Sequence, residues 1–151
     1  MPCETIFAPA VFSIVNLQAV VEEPGVSPPS MIIRSNVDWK ITVSWTTTGS
    51  GTSMICGRWH LLVFAESIGP GSEVILVDPG DHIFDLEPGP SPVSYTRTFD
   101  VPQGRLPVVG GHGVTLYKLV TSLTYFAADG SRGPIACYEE GPIVQMYDAQ
   151  P

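Results

Sequence analysis

Residues 37–47 read VDWKITVSWTT, and this stretch decides the fold class. Apolar and polar residues alternate along it without interruption. The apolar ones share one parity: Val37, Trp39, Ile41, Val43 and Trp45. Neighbouring side chains of a β-strand point to opposite faces, so the alternation predicts a strand with one buried face and one wet face. The sequence TGSG at 48–51 then ends the strand as a turn.

Seven further stretches have strand character, and turns rich in glycine and proline separate them. They cover residues 12–21, 31–34, 54–66, 73–77, 93–101, 114–127 and 135–147, the last of them broken near Gly141-Pro142. Valine and isoleucine are the commonest large apolar residues, and their branched side chains favour strands. About eight strands with turns between them predict an all-β chain, built as a two-sheet antiparallel Greek-key sandwich or as a barrel.

The central strands resemble those of a known family. Ile41-Thr42-Val43-Ser44-Trp45 followed by Trp59-His60-Leu61-Leu62-Val63 looks like the second and third strands of a fibronectin type III or immunoglobulin-like sandwich. Tyr125-Phe126-Ala127-Ala128-Asp129-Gly130-Ser131 and the strand after it look like that family's sixth strand and last hairpin. The resemblance covers about residues 37–147 and implies a scaffold used for adhesion, assembly and recognition.

The chain departs from that family's pattern in two ways. It has no cysteine pair on the second and sixth strands, and its stretch 66–93 is longer than the compact version requires. A jelly roll or another Greek-key sandwich therefore stays open.

Length and charge limit the class of protein. The chain has 151 residues, of which 15% are charged, and its net charge is −8. A chain of this length is expected to be one domain, and its acidity makes nucleic acid a poor partner. The N-terminus lacks the basic region of a signal peptide, and the apolar stretch 6–21 is too short and too polar to span a membrane. We expect one domain, residues 1–151, that is cytoplasmic by default or part of a released assembly.

Residues with reactive side chains are scattered and form no recognised catalytic or metal-binding motif. His60, His82 and His112 lie in three separate segments, and neither a nucleophile elbow nor a zinc-protease signature is present. Cys56 and Cys137 are expected at one pole of the sandwich, where they form a disulfide, share a metal or, as the favoured interpretation, are buried thiols, whereas Cys3 looks incidental. We therefore expect no enzyme activity, no catalytic residue, no metal and no cofactor.

Several predicted strands are apolar on both faces, although a two-layer sandwich needs only one apolar face per strand. The core accounts for one parity, and the other parity supplies a set of candidate interface residues. These are Phe12, Ile14, Val20, His60, Leu62, Phe64, Leu116, Val120 and Phe126. Contiguous exposed apolar surface marks an interaction site. Either residues 78–112 of the same chain or a neighbouring subunit is expected to cover it.

These features predict a non-enzymatic structural subunit that self-associates, or docks onto another protein subunit, in a filament, shell, sheath or coat. Residues 1–21 are a possible extended or strand-exchanging segment, because the apolar stretch within them could add as a strand to a neighbouring sheet. The alternative is a monomeric binding module, lectin- or adhesin-like, that holds a ligand with the loops 48–57, 102–113 and 128–134.

Overall fold

Strands and turns make up the described part of the chain. A computed structural model describes residues 3–5, 7–25, 31–77, 83–109 and 113–148. Within these ranges there are ten strands and no helix. The strands are β1 (Cys3–Thr5), β2 (Ser13–Glu22), β3 (Ile32–Arg34), β4 (Trp39–Thr48), β5 (Arg58–Ser67), β6 (Val74–Val77), β7 (Ile83–Asp85), β8 (Val93–Val101), β9 (Val114–Phe126) and β10 (Arg132–Tyr147). The all-β prediction is confirmed, and β1 and β7 are additional to the strands that the sequence predicts.

The strands form two sheets. The smaller sheet has three strands in the order β2-β4-β8, all antiparallel. The larger sheet has seven strands and is curled, and its main path runs β1-β10-β9-β5-β6. On the same sheet β7 pairs with β5, and β3 pairs with β10 in parallel. The prediction of two sheets is therefore confirmed.

The core lies between the sheets and is centred on aromatic side chains. Trp39, Trp45 and Trp59 are each no more than 1% exposed, as their parity predicts. The rings of Trp45 and Tyr95 stack with centroids 5.1 Å apart, and Trp59 meets both edge-on at 6.3 and 6.2 Å. Such pairs add to the free energy gained from burial. Because Trp45 and Tyr95 lie on the smaller sheet and Trp59 on the larger, this cluster joins the two layers.

A bulge in β2 explains why both parities of this strand are apolar. Asn16 has a φ of 57°, and the pairing with β4 shifts register around it. One extra residue in a strand reverses the facing of everything that follows it. Phe12 and Ile14 before the bulge therefore point into the core together with Leu17 after it. Because Phe12 and Ile14 are only 2% and 5% exposed, their assignment to an interface is wrong.

A disulfide ties β1 to the larger sheet. Cys3 lies directly opposite Cys137 where β1 pairs with β10, and the two sulfur atoms are bonded. Cys3 is therefore not incidental, and Cys137 is bonded to it and not to Cys56. Cys56 is the exposed free cysteine of the three. The pairing follows from the position of β1, which is too short to show any alternation in the sequence.

Candidate interaction surface

The surface of the larger sheet that faces away from the core is called the outer face here. β5 and β9 run antiparallel in register without a shift, so their even-numbered residues share this face. The predicted interface residues that come together on it are His60, Leu62, Phe64, Leu116, Val120 and Phe126. Val120 is only 8% exposed, because its neighbours on this face cover it, so it contributes little accessible surface. Val20 is also exposed, at 43%, but it belongs to the smaller sheet. The structure thus unites most of the predicted set on one surface.

Cross-strand pairs extend this surface beyond the predicted residues. Phe64 lies opposite Val120 on one side and opposite Ile75 of β6 on the other. Tyr138 of β10 lies opposite Ser122 of β9. Three side chains that the sequence interpretation missed are strongly exposed here: Ile75 at 45%, Tyr138 at 48% and Ile143 at 50%. With Leu116 at 39%, they form an exposed apolar strip with members on three strands, β6, β9 and β10.

A second register shift explains why Ile143 was missed. The pairing of β10 with β9 slips between Glu140 and Ile143, at Gly141-Pro142. Before the slip the even residues of β10 face outward, and after it the odd residues do, so Val144 is buried while Ile143 is exposed. The break that the sequence shows at Gly141-Pro142 was the available signal. It predicts an interruption but not a change of facing.

One end of the outer face carries basic groups around an aromatic stack. The rings of His60 and Phe126 stack with centroids 3.7 Å apart. Partial burial lowers the pKa of His60 below its ordinary value, and the positive charge of Arg58 lowers it further. Arg58 and Arg132 both lie opposite Phe126, one on each flanking strand, and Arg58 is 3.5 Å from Asp85. This end is called the basic end.

The other end carries a cluster of acidic groups around one lysine. The ammonium of Lys118 on β9 lies 3.2 Å from a carboxylate oxygen of Glu66 on β5 and 3.5 Å from one of Glu140 on β10. The hydrogen bond to Glu66 and the charge of Glu140 raise the pKa of Lys118. Two carboxylates share one cation here, which leaves a negative balance. This end is called the acidic end.

The outer face of the smaller sheet is polar by contrast. The hydroxyls of Thr42 and Thr98 lie 3.1 Å apart across β4 and β8, and those of Thr46 and Ser94 lie 3.3 Å apart. On the other side of β4, the amide of Gln18 donates to Ser44 at 3.3 Å. Hydroxyl side chains that satisfy one another across strands suit a surface in contact with water. The two sides of the molecule therefore differ in chemistry.

The edges of the larger sheet and the β8 edge of the smaller sheet are protected against strand addition, whereas the outer edge of β2 pairs with no strand among the described residues. Short strands cover much of the edge of β10, where β1 and β3 pair, and β6 and β7 cover that of β5. On the edge strand β8, Arg97 shares the parity of the buried Tyr95 and Phe99, and its guanidinium lies 4.8 Å from the centroid of Phe84. It also donates to its neighbour's backbone, the Thr96 carbonyl, at 2.9 Å. Inward-pointing charges and short edge strands both discourage edge-to-edge pairing.

The segment 78–112 does not cover the outer face in its described part. Residues 83–85 pair with the edge of β5, and residues 93–101 form β8 in the opposite sheet. Leu106, in the loop after β8, is fully buried in the core. Residues 78–82 and 110–112 lie outside the described part. The sequence left open whether residues 78–112 or a neighbouring subunit covers the apolar face. The described residues of 78–112 do not cover it.

The loops of the alternative prediction do not share one pole. The loops 48–57 and 128–134 lie at the same pole, where Gly57 approaches the Phe126 carbonyl and the Tyr125 ring. The start of the loop 102–113 lies at the other pole, because the Gly104 amide donates to the Ser35 carbonyl and the Gln103 amide donates to Asp38. One small ligand therefore cannot contact all three loops.

The predicted reactive residues are not brought into a catalytic arrangement within the described ranges. Cys56 is exposed at a loop end and His60 is stacked on Phe126. Across residues 3–5, 7–25, 31–77, 83–109 and 113–148, no three His, Cys, Asp or Glu side chains come together as a metal site, and no helix is long and apolar enough to cross a membrane. His82 and His112 lie outside these ranges.

The sequence matches no protein-family model and no curated protein. The inferences about function therefore depend on the surface chemistry described above.

Proposed function

We propose that the chain is a non-enzymatic structural subunit that docks within a larger protein assembly through the outer face of its larger sheet. The observation that carries this proposal is the exposed apolar strip, set against a smaller sheet whose outer face is lined by paired hydroxyls. A sheet with one face in water needs apolar residues only on the face that packs against the core. An assembly in which subunits stack on that face, such as a filament, shell, sheath or coat, explains why this chain keeps a second apolar face.

Docking uses the face of the sheet and not a free N-terminal strand. β2 is paired along its whole length with β4, and Phe12, Ile14 and Leu17 fill the core from this region. Exchange of β2 between subunits would need the core to open. Truncation of residues 1–21 would for the same reason unfold the chain, so it does not test assembly.

The sandwich is further proposed to be a Greek-key fold of the immunoglobulin or fibronectin type III kind. The strand order β2-β4-β8 in one sheet and β10-β9-β5-β6 in the other supports this. The two sheets exchange strands where β4 is followed by β5 and where β8 is followed by β9. Folds of this kind present faces, edges and loops to partners, and the fold by itself does not say which is used.

A released assembly is favoured over a cytoplasmic one. The Cys3–Cys137 disulfide joins the first strand to the last, and structural disulfides persist in oxidising surroundings.

Site-directed photo-crosslinking in the cells that make the protein tests the docking face. A benzophenone amino acid replaces Leu62 on the outer face, and in a matched control it replaces Thr96 on the outer face of the smaller sheet. We expect a protein adduct from position 62 and none from position 96, identified in either case by mass spectrometry. The absence of an adduct at position 62, or equal adducts at both positions, would show that the outer face is not the docking surface.

A further inference from the structure

The outer face is charged in opposite senses at its two ends. Along β5 the basic end begins at Arg58 and the acidic end at Glu66, and Leu62 lies midway between them. Arg132 adds a second positive charge at the basic end, where Asp85 offsets part of the sum. Asp129 lies beyond the sheet in a turn, where it accepts hydrogen bonds from the amide and hydroxyl of Ser131.

At the other end Glu140 adds a second negative charge, and Lys118 offsets part of that sum. Glu73, in the loop that precedes β6, is exposed near this end as well. The surplus is positive at one end and negative at the other. Tyr138 and Ile75 of the apolar strip lie between the ends, whereas Ile143 and Leu116 lie at the acidic end. A surface of this design is complementary to itself when it is turned end over end.

A second copy fits this pattern under one particular two-fold axis. The axis lies in the plane of the interface, perpendicular to the strands, and passes over the row formed by Leu62, Ser122 and Tyr138. Rotation about it places β5 over the second copy's β5 with reversed direction. Arg58 then faces the second copy's Glu66, and the row of His60 faces the row of Phe64. The same rotation places the second copy's Lys118 over Phe126 and its Ile143 over Arg132. The two ends that meet are therefore opposite in net charge, although not every facing pair is opposite.

The other face-to-face two-fold axis, parallel to the strands, is disfavoured by the same charges. It places β5 over the second copy's β10 with both acidic ends together, so that Glu66 faces Ile143 and lies close to Glu140, which is in the next row. Like charges brought together at an interface oppose association. The charge pattern therefore selects the end-over-end arrangement.

The area available suits a weak but specific dimer. Four strands at about 4.8 Å spacing and eight residue steps of about 3.3 Å along β5 give a planar footprint of roughly 500 Å². Because the larger sheet is curled around the core, this footprint is an upper limit for the contact between two copies. Specific interfaces start at about 600 Å² per partner, so the dimer is expected to be weak.

We propose that the occupant of the outer face is a second copy of this chain, packed face to face and end over end, with Arg58 and Arg132 beside the second copy's Glu66 and Glu140. This inference rests on the proposed docking function and adds the identity and orientation of the partner. It goes beyond that function because an outer face could equally serve a different protein.

Charge reversal on the two ends tests the arrangement. The variant Glu66→Arg/Glu140→Arg is positive at both ends, and Arg58→Glu/Arg132→Glu is negative at both. Each variant alone is expected to dimerise at least ten-fold more weakly than the original chain in sedimentation equilibrium. An equimolar mixture is expected to form a heterodimer at least as tightly as the original. Circular dichroism of each variant checks that it is folded.

A cross-link on the axis gives a second measurement. Ser122→Cys, in a chain that also carries Cys56→Ala, is expected to form a disulfide with itself across the dimer. Glu66→Cys in the same background is not, because its counterpart lies at the far end of the second copy.

The outcomes separate this inference from the proposed function. A chain that stays monomeric to about 1 mM while position 62 cross-links to another protein in cells would overturn the second-copy inference and leave the docking face standing. A dimer that neither charge variant weakens relative to the original chain would overturn the end-over-end arrangement. So would an equimolar mixture of the two variants that dimerises no more tightly than each variant alone. A monomer with no adduct at position 62 would overturn both.

Discussion

Replacement of Cys3 by alanine is expected to lower the free energy of unfolding by several kcal/mol. The bonded cysteines are 134 residues apart, so the cross-link closes nearly the whole chain into one loop. In the chain-entropy account, a cross-link lowers the entropy of the unfolded chain by an amount that grows with the logarithm of loop length. For this loop it gives about 5 kcal/mol at 25 °C.

The measured loss should be smaller than this limit. β1 has only three residues, and without the disulfide it can leave the edge of β10 and regain backbone entropy of about 1–2 kcal/mol per residue in the native state. We therefore expect a loss of about 2–4 kcal/mol. The change to alanine at position 3 leaves Cys137 as a buried thiol, so no polar group is introduced into the core.

Urea unfolding without reductant measures the loss, and Cys56→Ala is the matched control because Cys56 is exposed and unbonded. Dithiothreitol should bring the original chain to the midpoint of Cys3→Ala and should leave Cys3→Ala itself unchanged. Thiol titration of the denatured chain should rise from one group to three on reduction. If Cys3→Ala and Cys56→Ala unfold at the same urea concentration, the loop-closure reasoning is refuted.

Three further changes test the bulge at Asn16, the ion pair between Arg34 and Glu23, and the outer face at His60. Asn16→Val is expected to cost about 1–2 kcal/mol because a side chain branched at Cβ is strained at a φ of 57°, whereas Gln18→Val, exposed on the same strand, should be nearly neutral in thermal melts. Arg34→Met is expected to lower the urea midpoint, because the carboxylate of Glu23, a residue only 3% exposed, loses the guanidinium 2.5 Å away; an unchanged midpoint would contradict this. The pKa of His60 in the native chain lies below its unfolded value near 6.5, so the unfolded chain takes up the proton first as pH falls. The free energy of unfolding is therefore expected to decline as pH falls through about 6.5, and to decline less in His60→Gln. An equal decline in both chains would count against this interpretation.

Alternation of apolar and polar residues was enough to predict the long strands and the aromatic core. VDWKITVSWTT corresponds to β4, and its tryptophans are buried as their parity requires. Three residues cannot display a period, and of the three strands this short β1 and β7 were missed while β3 was predicted. Both are held by pairing with distant strands, and the Cys3–Cys137 bond depends on one of those pairings. Long-range register of this kind has no local signal in a single sequence.

Parity also predicted most of the candidate surface, and it failed where the register of a strand changes. The φ of 57° at Asn16 and the slip at Gly141-Pro142 each reverse the facing of the residues that follow. The prediction assumed strict alternation through these positions. It therefore placed Phe12 and Ile14 on an exposed face and missed the exposed Ile143. The charge pattern of the outer face depends on the relative positions of charges on three strands. Predicting it would need the register of all three strands at once.

The protected edges and the unprotected face together argue for stacking as the mode of assembly. Strand addition needs an open edge, and this chain blocks most of its edges with short strands and with the inward guanidinium of Arg97. Among the described residues, the outer edge of β2 is the exception. Such protection prevents uncontrolled growth through hydrogen bonding between backbones. Stacking through a face with opposite charges at its two ends closes after two copies, because the two-fold axis uses the whole face of each. A chain that forms such pairs would need a further surface to build a filament or shell. The pole where Phe7, Val11 and Met54 are exposed around an apolar hollow lies off the outer face and stays accessible in the pair.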